Sequence, residues 1–367
     1  MSYILKSLIV FAFTVLLAAS VSARTVVDGM GRSVTVPDRI ERVICSGSGC
    51  LRLLTFLQAG DLVVAVDDIE ARRNTFDARP YALATPRYKT LPVFGQFRGH
   101  DNPELILALS PTPQVIFKTY STMGHDPVEL QQKTGIPVIV LNYGNLSSLR
   151  DQFYQSLQLM GTVLGREQRA EEVISFFDAT IADLQRRTAT VPADQRPSVL
   201  LGGVAFKGPH GFNSTEPTYP PFQFVNARNL AYDEAMTAKE LSNTTISKEQ
   251  IVVWDPDILF LDLSTLQMGD QAGGLHELQN DPAYQTLTAV REGRVYGVLP
   301  YNWYTSNHGS ILANAYYIGS VLYPDRFADI DPRRTADDIY TFLVGRPVFG
   351  EMDRLFGDLA FAPIPLR

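Results

Sequence analysis

Short apolar runs alternate with amphipathic segments along most of the chain. In the first half, runs rich in Val, Ile and Leu predict buried strands at residues 42–44, 62–66, 115–117 and 138–141. Segments with helical spacing of apolar residues lie between and after these runs, at residues 51–57, 103–109 and 127–133. Strands that alternate with helices in this way predict a mostly parallel sheet covered on both faces.

The second half repeats this type of architecture. Strands are predicted at residues 199–201, 258–261 and 295–298, and helices near residues 311–322 and 336–343. Ahead of the first strand, alternating residues surround the turn sequence Asp-Gly-Met-Gly at 28–31, which predicts a small hairpin.

Two amphipathic helices separate the halves. The first has apolar residues at 153, 157, 160 and 164 and ends at Gly165. The second, from about 167 to 188, is long enough to span about 30 Å and is predicted to connect two lobes. We therefore expect an α/β fold of two lobes with mostly parallel sheets, joined by one long helix, with a ligand cleft between them. The predicted divisions are residues 24–145, 146–190 and 191–367.

The N-terminus has the pattern of a secretory signal peptide. Lys6 precedes an apolar run at residues 8–19, and the small residues 21–23 suit cleavage after Ala23. Residues 1–23 are thus predicted to be removed, which places the mature protein in the periplasm. No cysteine lies at the predicted cleavage point, so no lipid anchor is indicated.

The net charge of the chain argues against nucleic-acid binding. The chain of 367 residues has a net charge of -7, which becomes -8 once Lys6 is lost with the signal peptide. Such a chain, without a basic run, is not expected to bind nucleic acid.

The two cysteines, Cys45 and Cys50, have four residues between them and lie in a compartment that favours oxidation. A local disulfide is our leading prediction; a metal or ligand role and two free thiols are the alternatives. No second Cys or His pair with ligand spacing follows, so no zinc site is predicted.

Ligands of open α/β sheets gather where strands end. The turn with Ser46, Gly47 and Ser48 ends the first strand and leads into a helix, whose N-terminal N–H groups would favour an anionic ligand group. The glycines can equally serve only a tight turn. Tyr81 follows Arg79-Pro80 in a segment without clear periodicity, where it would either stack on a ligand or belong to a packed surface loop.

The second half has two further candidate segments. Lys207 and His210 follow the strand at 199–201; Lys207 can balance an anionic chelate, and His210 can ligate a metal, line the cleft or be structural. Tyr219, which lies between Thr218 and Pro220, would form part of a stiff wall of the ligand cleft. A last set of aromatic residues follows the strand at 295–298 and suits a flat, partly apolar ligand, with core packing as the alternative: Tyr301, Trp303 and Tyr304.

No catalytic motif, resident metal site or cofactor site is predicted. Ser48 lacks the glycines of a hydrolase elbow. Gly203 and Gly208 have P-loop spacing, but Pro209 stands in place of the lysine. We therefore do not expect an enzyme.

Several longer segments resemble one protein family. They are DGMGRSVTVPDRIERVI, LLTFLQAGDLVVAVDD, NPELILALSPTPQVIF and LQNDPAYQTLTAVREGRVYGVLP, and together they span nearly the whole mature chain. Their order resembles the periplasmic binding proteins of iron-siderophore and vitamin B12 ABC importers, in a branch described as iron-complex binding. The resemblance implies two similar lobes joined by a long helix, capture of a small-molecule metal complex, and a membrane permease with its ATPase as partners. We expect a monomer.

Two other functions stay open. The protein would otherwise bind a bare metal ion or a small oxyanion; five scattered histidines disfavour a histidine-rich metal site, whereas the glycine turn suits an oxyanion. The third interpretation is a secreted enzyme that processes a chelate.

Overall fold

A computed structural model describes residues 22–73, 75–236, 241 and 244–366. Of the predicted signal peptide only Ser22 and Ala23 fall within this part, so the rest of that prediction lies outside the described residues. Within the described part of the chain, no helix combines the length and hydropathy needed to cross a bilayer.

The strands are short, as buried strands of α/β proteins usually are. They are β1 Ala23–Val27, β2 Ser33–Pro37, β3 Val43–Ser46, β4 Val63–Asp67, β5 Val93–Gln96, β6 His100–Asp101, β7 Val115–Thr119, β8 Val138–Leu141, β9 Ser198–Gly202, β10 Ser214–Thr215, β11 Arg228–Asn229, β12 Thr244–Thr245, β13 Ile258–Asp262 and β14 Val295–Val298.

The helices range from single turns to the long connector. They are α1 Cys50–Phe56, α2 Asp68–Arg72, α3 Pro80–Ala84, α4 Pro103–Leu107, α5 Pro127–Thr134, α6 Arg150–Leu164, α7 Glu167–Thr188, α8 Pro220–Phe224, α9 Lys248–Trp254, α10 Gly273–Asn280, α11 Thr288–Arg291, α12 His308–Leu322, α13 Pro332–Val344 and α14 Phe349–Leu355. Short 3₁₀ segments lie at Gly60–Leu62, Pro86–Thr90, Ala193–Gln195, Leu263–Met268, Tyr284–Thr286 and Pro324–Arg326.

Two sheets form the two lobes. The first has the strand order β6-β5-β4-β3-β7-β8 and is parallel except for the pairing of β5 with β6. The second has the order β11-β9-β13-β14 and is parallel throughout. β1 and β2 form the predicted antiparallel hairpin, and β10 pairs with β12. The predicted α/β class with mostly parallel sheets is confirmed.

The first sheet is covered on both faces, as its apolar runs predict. Ile44 and Ile116 face a cluster that includes Ile106 of α4 and Leu130 of α5. Alternate residues of the same strands face the opposite side and join the main apolar core. Because both faces are buried, these strands are continuously apolar rather than alternating.

Helix α7 connects the two lobes, and its limits agree with the predicted 167–188. Its apolar stripe is buried along its length, at Ala170, Val173, Ile174, Phe177, Ile181 and Leu184. The main apolar core is continuous from the first lobe through α6 and α7 into the second. A shared core of this kind favours a nearly fixed arrangement of the lobes. The division at residues 145 and 190 stays a prediction.

One segment differs from its prediction. Residues 79–81 lack clear periodicity, yet Pro80 begins the short helix α3. Proline suits the first helical position, because its fixed φ is helical and its missing N–H would have no helical partner there.

Candidate functional site

The cleft lies at the point in each sheet where the order of successive strands reverses. β3 is flanked by β4 and β7, and β9 is flanked by β11 and β13. The loops that leave β3 and β9 at their carboxyl ends therefore start at the switch points of the two sheets, where α/β proteins bind ligands. A cleft of about 870 Å³ lies between the lobes and is lined by residues of both, among them Ser48 and Lys207.

The turn after β3 forms part of this cleft through Ser48. Gly47 has φ 84°, and a Cβ there would lie 2.6 Å from the Thr119 carbonyl oxygen, so the turn needs glycine. Gly49 precedes α1 with φ 76° and packs against Tyr143 and Thr305. The predicted opening of this helix N-terminus to a ligand is therefore not supported, because side chains cover it.

Ser46 lies beneath the turn rather than in the cleft wall. It is fully buried, and its Oγ accepts a hydrogen bond of 3.1 Å from the Nζ of Lys118. The same ammonium forms an ion pair of 2.6 Å with Asp101, which is also buried. Ser46 thus belongs to the support of the turn.

The structure contains Cys45 and Cys50 as buried free thiols, so the predicted disulfide is not present in it. Cys45 is on β3 and Cys50 begins α1, which brings the thiols into hydrogen-bond contact across the turn. Burial, with the neighbouring Cys50 thiol, raises the pKa of Cys45 well above its ordinary value. A thiol held in its protonated form is a poor nucleophile and a poor metal ligand.

The loop after β9 presents a cation to the cleft. Lys207 lines the cleft with Phe206, and its ammonium lies 5.3 Å from the centroid of the Phe206 ring. His210 is exposed on the same loop, and its Nε2 donates to the Phe206 carbonyl oxygen at 2.7 Å in the matching tautomer. With Nε2 as the donor, Nδ1 keeps its lone pair, so the hydrogen bond does not decide between the predicted roles of His210.

The first lobe supplies a second cation that the sequence did not indicate. Arg98 lines the cleft from the turn between β5 and β6, and its guanidinium lies 5.1 Å from the Phe97 ring centroid. Arg98 and Lys207 have left-handed backbones, with φ 61° and 57°, and each stands between a phenylalanine and a glycine. The two lobes thus present similar Phe-cation-Gly turns to one cleft.

Apolar side chains line the same cleft and are exposed there. They are Met123 of the first lobe, Leu149 just ahead of α6, and Phe206 and Tyr232 of the second lobe, with exposed fractions between 37% and 47%. Exposed apolar side chains gathered in a groove are typical of a ligand or partner site. The cleft therefore offers positive charge and apolar surface together.

The aromatic set after β14 has two roles. Tyr301 lines the cleft, and its hydroxyl donates to Glu216 at 2.7 Å. Trp303 and Tyr304 instead turn to the first lobe: the Arg73 guanidinium lies 4.3 Å from the Trp303 ring centroid. The predicted stacking surface is thus reduced to Tyr301, with the other two rings at the contact between the lobes.

Tyr81 and Tyr219 are fully buried and lie outside the described cleft wall. The Tyr81 hydroxyl donates to Glu70 at 2.5 Å, in a cluster where Arg79 pairs with Glu70 and Asp77. The Tyr219 hydroxyl accepts from Asn314 at 3.0 Å. Both tyrosines stabilise the interiors of their lobes. Their predicted contact with ligand conflicts with this burial.

A buried carboxyl group of the first lobe contacts the second lobe. Asp67 ends β4, and Tyr304 donates its hydroxyl to the carboxyl group. Burial, and next the charge of Glu70, raise the pKa of Asp67 to about 8. Its carboxyl is therefore protonated in the folded protein at neutral pH.

This pKa predicts a stability effect for Asp67→Asn. Below about pH 3.8 both states are protonated; between there and about pH 8 only the folded state keeps the proton, so this group lowers stability as pH rises. The contribution reaches up to about 1.4 kcal/mol per pH unit. We expect the free energy of unfolding of the variant, relative to the parent, to rise steadily from pH 5 to pH 8 in urea titrations. The buried His308, whose pKa is lowered, affects both proteins and cancels in the difference. A constant difference over this range would contradict the assignment.

No metal centre is formed by the described side chains: across residues 22–73, 75–236, 241 and 244–366, no group of three or more His, Cys, Asp and Glu could hold an ion. Sequence reasoning also missed Tyr120, which lines the cleft directly after β7. The strand-end rule would have found it, had the strand been extended past Phe117.

Known proteins share this architecture. The molybdate-binding protein MolA of Haemophilus influenzae is 23% identical over 358 residues, covering 92% of this chain and 95% of MolA. The structure of MolA bound to molybdate superposes with a TM-score of 0.67 at 21% identity, over 88% of this chain and 98% of that one. The TroA-like periplasmic binding protein FepB of Veillonella parvula gives a TM-score of 0.63 at 20% identity, over 88% of this chain and 96% of FepB.

The iron-uptake system-binding protein of Bacillus subtilis is 24% identical over 198 residues, which covers 53% of this chain and 54% of that protein. The family model described as periplasmic binding protein matches residues 43–301, which is most of the chain and includes most of the residues that line the cleft. The chain belongs to the periplasmic binding protein family.

Proposed function

We propose that the protein captures an anionic metal chelate of the iron-siderophore, haem or corrinoid class in the periplasm and delivers it to a permease driven by an ATPase. One observation carries the proposal. Arg98 and Lys207, from opposite lobes, line a cleft of about 870 Å³ whose walls also expose apolar side chains. A volume of this size is in the range of sites for organic ligands.

The chemistry of the walls favours a ligand with an organic shell. The two cations suit negative charge, and the exposed Phe206 and Tyr232 would lose water-accessible apolar area against carbon atoms of a ligand. At about 25 cal/mol per Å², covering such area contributes to affinity for a chelate. A hydrated oxyanion offers no apolar surface in return.

A small oxyanion such as molybdate is the second candidate. The similarity to MolA over nearly the whole chain supports it, as do the hydroxyl groups of Ser48 and Thr305 in the cleft wall. Hydroxyl and cationic donors suit a tetrahedral oxyanion. Capture without chemical change is proposed for both candidates, because the similar proteins MolA and FepB are named as binding proteins.

Export and processing are part of the proposal. Cleavage after Ala23 would leave a mature chain that starts at Arg24, with most of strand β1 intact. The family and the predicted signal peptide support the proposed periplasmic location.

Native mass spectrometry of the protein purified from its own periplasm tests these statements. We expect a chain that begins at Arg24, with an adduct whose mass and metal content identify an organic metal complex. An adduct with the mass of a bare molybdate ion would support the second candidate instead. The stripped protein is then titrated with ferric catecholate and with molybdate. Absence of any adduct together with binding of neither probe, or release of a chemically altered chelate, would contradict the proposal.

A further inference from the structure

A short loop of the second lobe reaches across to the first. Residues 303–306, called here the interlobe loop, follow Tyr301 and precede α12. Two of its residues that are not glycine have left-handed backbones, Tyr304 with φ 49° and Thr305 with φ 70°. For a β-branched residue this conformation is strained, and such residues cost about 1–3 kcal/mol each unless their surroundings hold them.

Arg52 of the first lobe holds this loop. Its side chain is buried in α1 and donates to the Trp303 carbonyl oxygen at 3.1 Å and to the Ser306 carbonyl oxygen at 2.8 Å. It also donates to Oδ1 of Asn307 at 2.6 Å. A single planar guanidinium thus fixes both ends of the loop, with a donor geometry that a lysine ammonium does not have.

A tyrosine of the first lobe secures the guanidinium. The Tyr143 hydroxyl accepts from Arg52 and donates to the Ser306 carbonyl oxygen at 2.9 Å. The Arg52 guanidinium carbon lies 5.2 Å from the Tyr81 ring centroid and 5.9 Å from that of Tyr143. Residues of the first lobe therefore hold Arg52 in place, while its N–H groups hold the interlobe loop of the second lobe.

The loop matters for the cleft because its last two residues line it. Thr305 and Ser306 are part of the cleft wall. The Thr305 hydroxyl also contacts that of Tyr120, another cleft residue, at 2.5 Å. The position of this wall is therefore set from the opposite lobe.

We propose that Arg52 is a positioning residue for ligand binding. It holds the interlobe loop in a conformation that the loop's own residues disfavour, and it thereby places Thr305 and Ser306 against the ligand. The statement about the ligand rests on the proposed function, whereas the statement about the loop does not.

The fluorescence of Trp303 reports the conformation of the interlobe loop and needs no ligand. The chain has two tryptophans, so Trp254→Phe leaves Trp303 alone, 8% exposed beneath Arg73. In this background, Arg52→Lys is expected to shift the emission to longer wavelength and to raise the iodide quenching constant at least about twofold, as the ring becomes accessible. Tyr143→Phe keeps the ring but loses the hydroxyl. It should give a smaller change in the same direction, and it replaces Arg52→Lys as the test variant if that variant does not fold.

Arg169→Lys is the matched control. Arg169 also donates to backbone carbonyl oxygens, those of Phe56 and Phe342, but it does not contact the interlobe loop. Trp303 emission should not change in this variant, even if the urea midpoint falls. Equal quenching in Arg52→Lys, Tyr143→Phe and the parent would overturn the proposal.

Binding is measured next, with ferric catecholate and molybdate as probes. For whichever probe the parent binds, Arg52→Lys should weaken affinity about tenfold, equivalent to about 1.4 kcal/mol. Arg169→Lys should stay within about twofold. Unchanged affinity in Arg52→Lys would overturn the positioning role. If the parent binds neither probe and carries no adduct from the periplasm, the proposed function fails, and the fluorescence result still decides the statement about the loop.

Discussion

Lys118→Met is expected to destabilise the protein by about 3–5 kcal/mol. The Lys118 ammonium is fully buried and pairs with Asp101 at 2.6 Å. It also donates to the Gly99 carbonyl oxygen at 3.0 Å and to Ser46 at 3.1 Å. Methionine fills a similar volume, but it leaves the Asp101 carboxylate without a countercharge in the protein interior.

Urea unfolding at pH 7, followed by circular dichroism, measures this loss. Lys133→Met is the control, because Lys133 pairs with Glu129 at 2.7 Å on the surface, where both side chains are about half exposed. Exposed pairs contribute about 0–1 kcal/mol, so the control should lose less than about 1 kcal/mol. The double variant Lys118→Met, Asp101→Leu should recover most of the stability, since it removes both charges. Equal losses in the control and in Lys118→Met would show that Asp101 needs no partner.

Lys118 also shows a limit of sequence reasoning about the strands. The apolar run predicts a strand at 115–117, whereas β7 continues to Thr119 with Lys118 fully buried. A lysine normally ends an apolar run, and its burial depends on Asp101 in a distant part of the chain. The strands β3, β4 and β8 were predictable because parallel strands buried on both faces are apolar throughout.

The edge of the first sheet escaped prediction for a related reason. β5 has four residues and β6 has two, and their Val-Phe-Gly-Gln and His-Asp sequences carry no periodicity. The turn between them holds Arg98, so a cleft residue was missed together with the strands. Arg98 follows no predicted strand, and only the three-dimensional pairing brings it to the cleft.

The strand-end rule worked where a strand was recognised. Ser48, Lys207 and Tyr301 follow the predicted strands, and the structure places all three in the cleft wall. The rule does not predict which side chains are buried inside a lobe instead of lining the cleft. Tyr219 is such a case, because its burial depends on partners such as Asn314. Whether the cleft residues bind ligand stays a proposal.

Removal of both cleft cations is expected to abolish most ligand affinity. Arg98→Gln and Lys207→Gln should each weaken binding about 10-fold or more, since a hydrogen bond to a charged group contributes about 1.5–3 kcal/mol. The two residues lie on opposite lobes and contact different elements, so their effects should add to about 100-fold or more. Calorimetric titration with the ligand identified from the periplasm, or with ferric catecholate and molybdate, measures the loss.

The control and a companion variant separate charge from shape. Arg72→Gln changes an exposed cation outside the cleft and should leave affinity within about twofold. If the affinity of the double variant stayed within threefold of that of the parent, Arg98 and Lys207 would not belong to the binding site. Phe206→Ser, which removes an exposed ring from the cleft wall, then distinguishes the candidates. It should weaken a chelate with an organic shell about tenfold through lost apolar contact and leave molybdate unaffected, because a bare oxyanion has no apolar surface to bury.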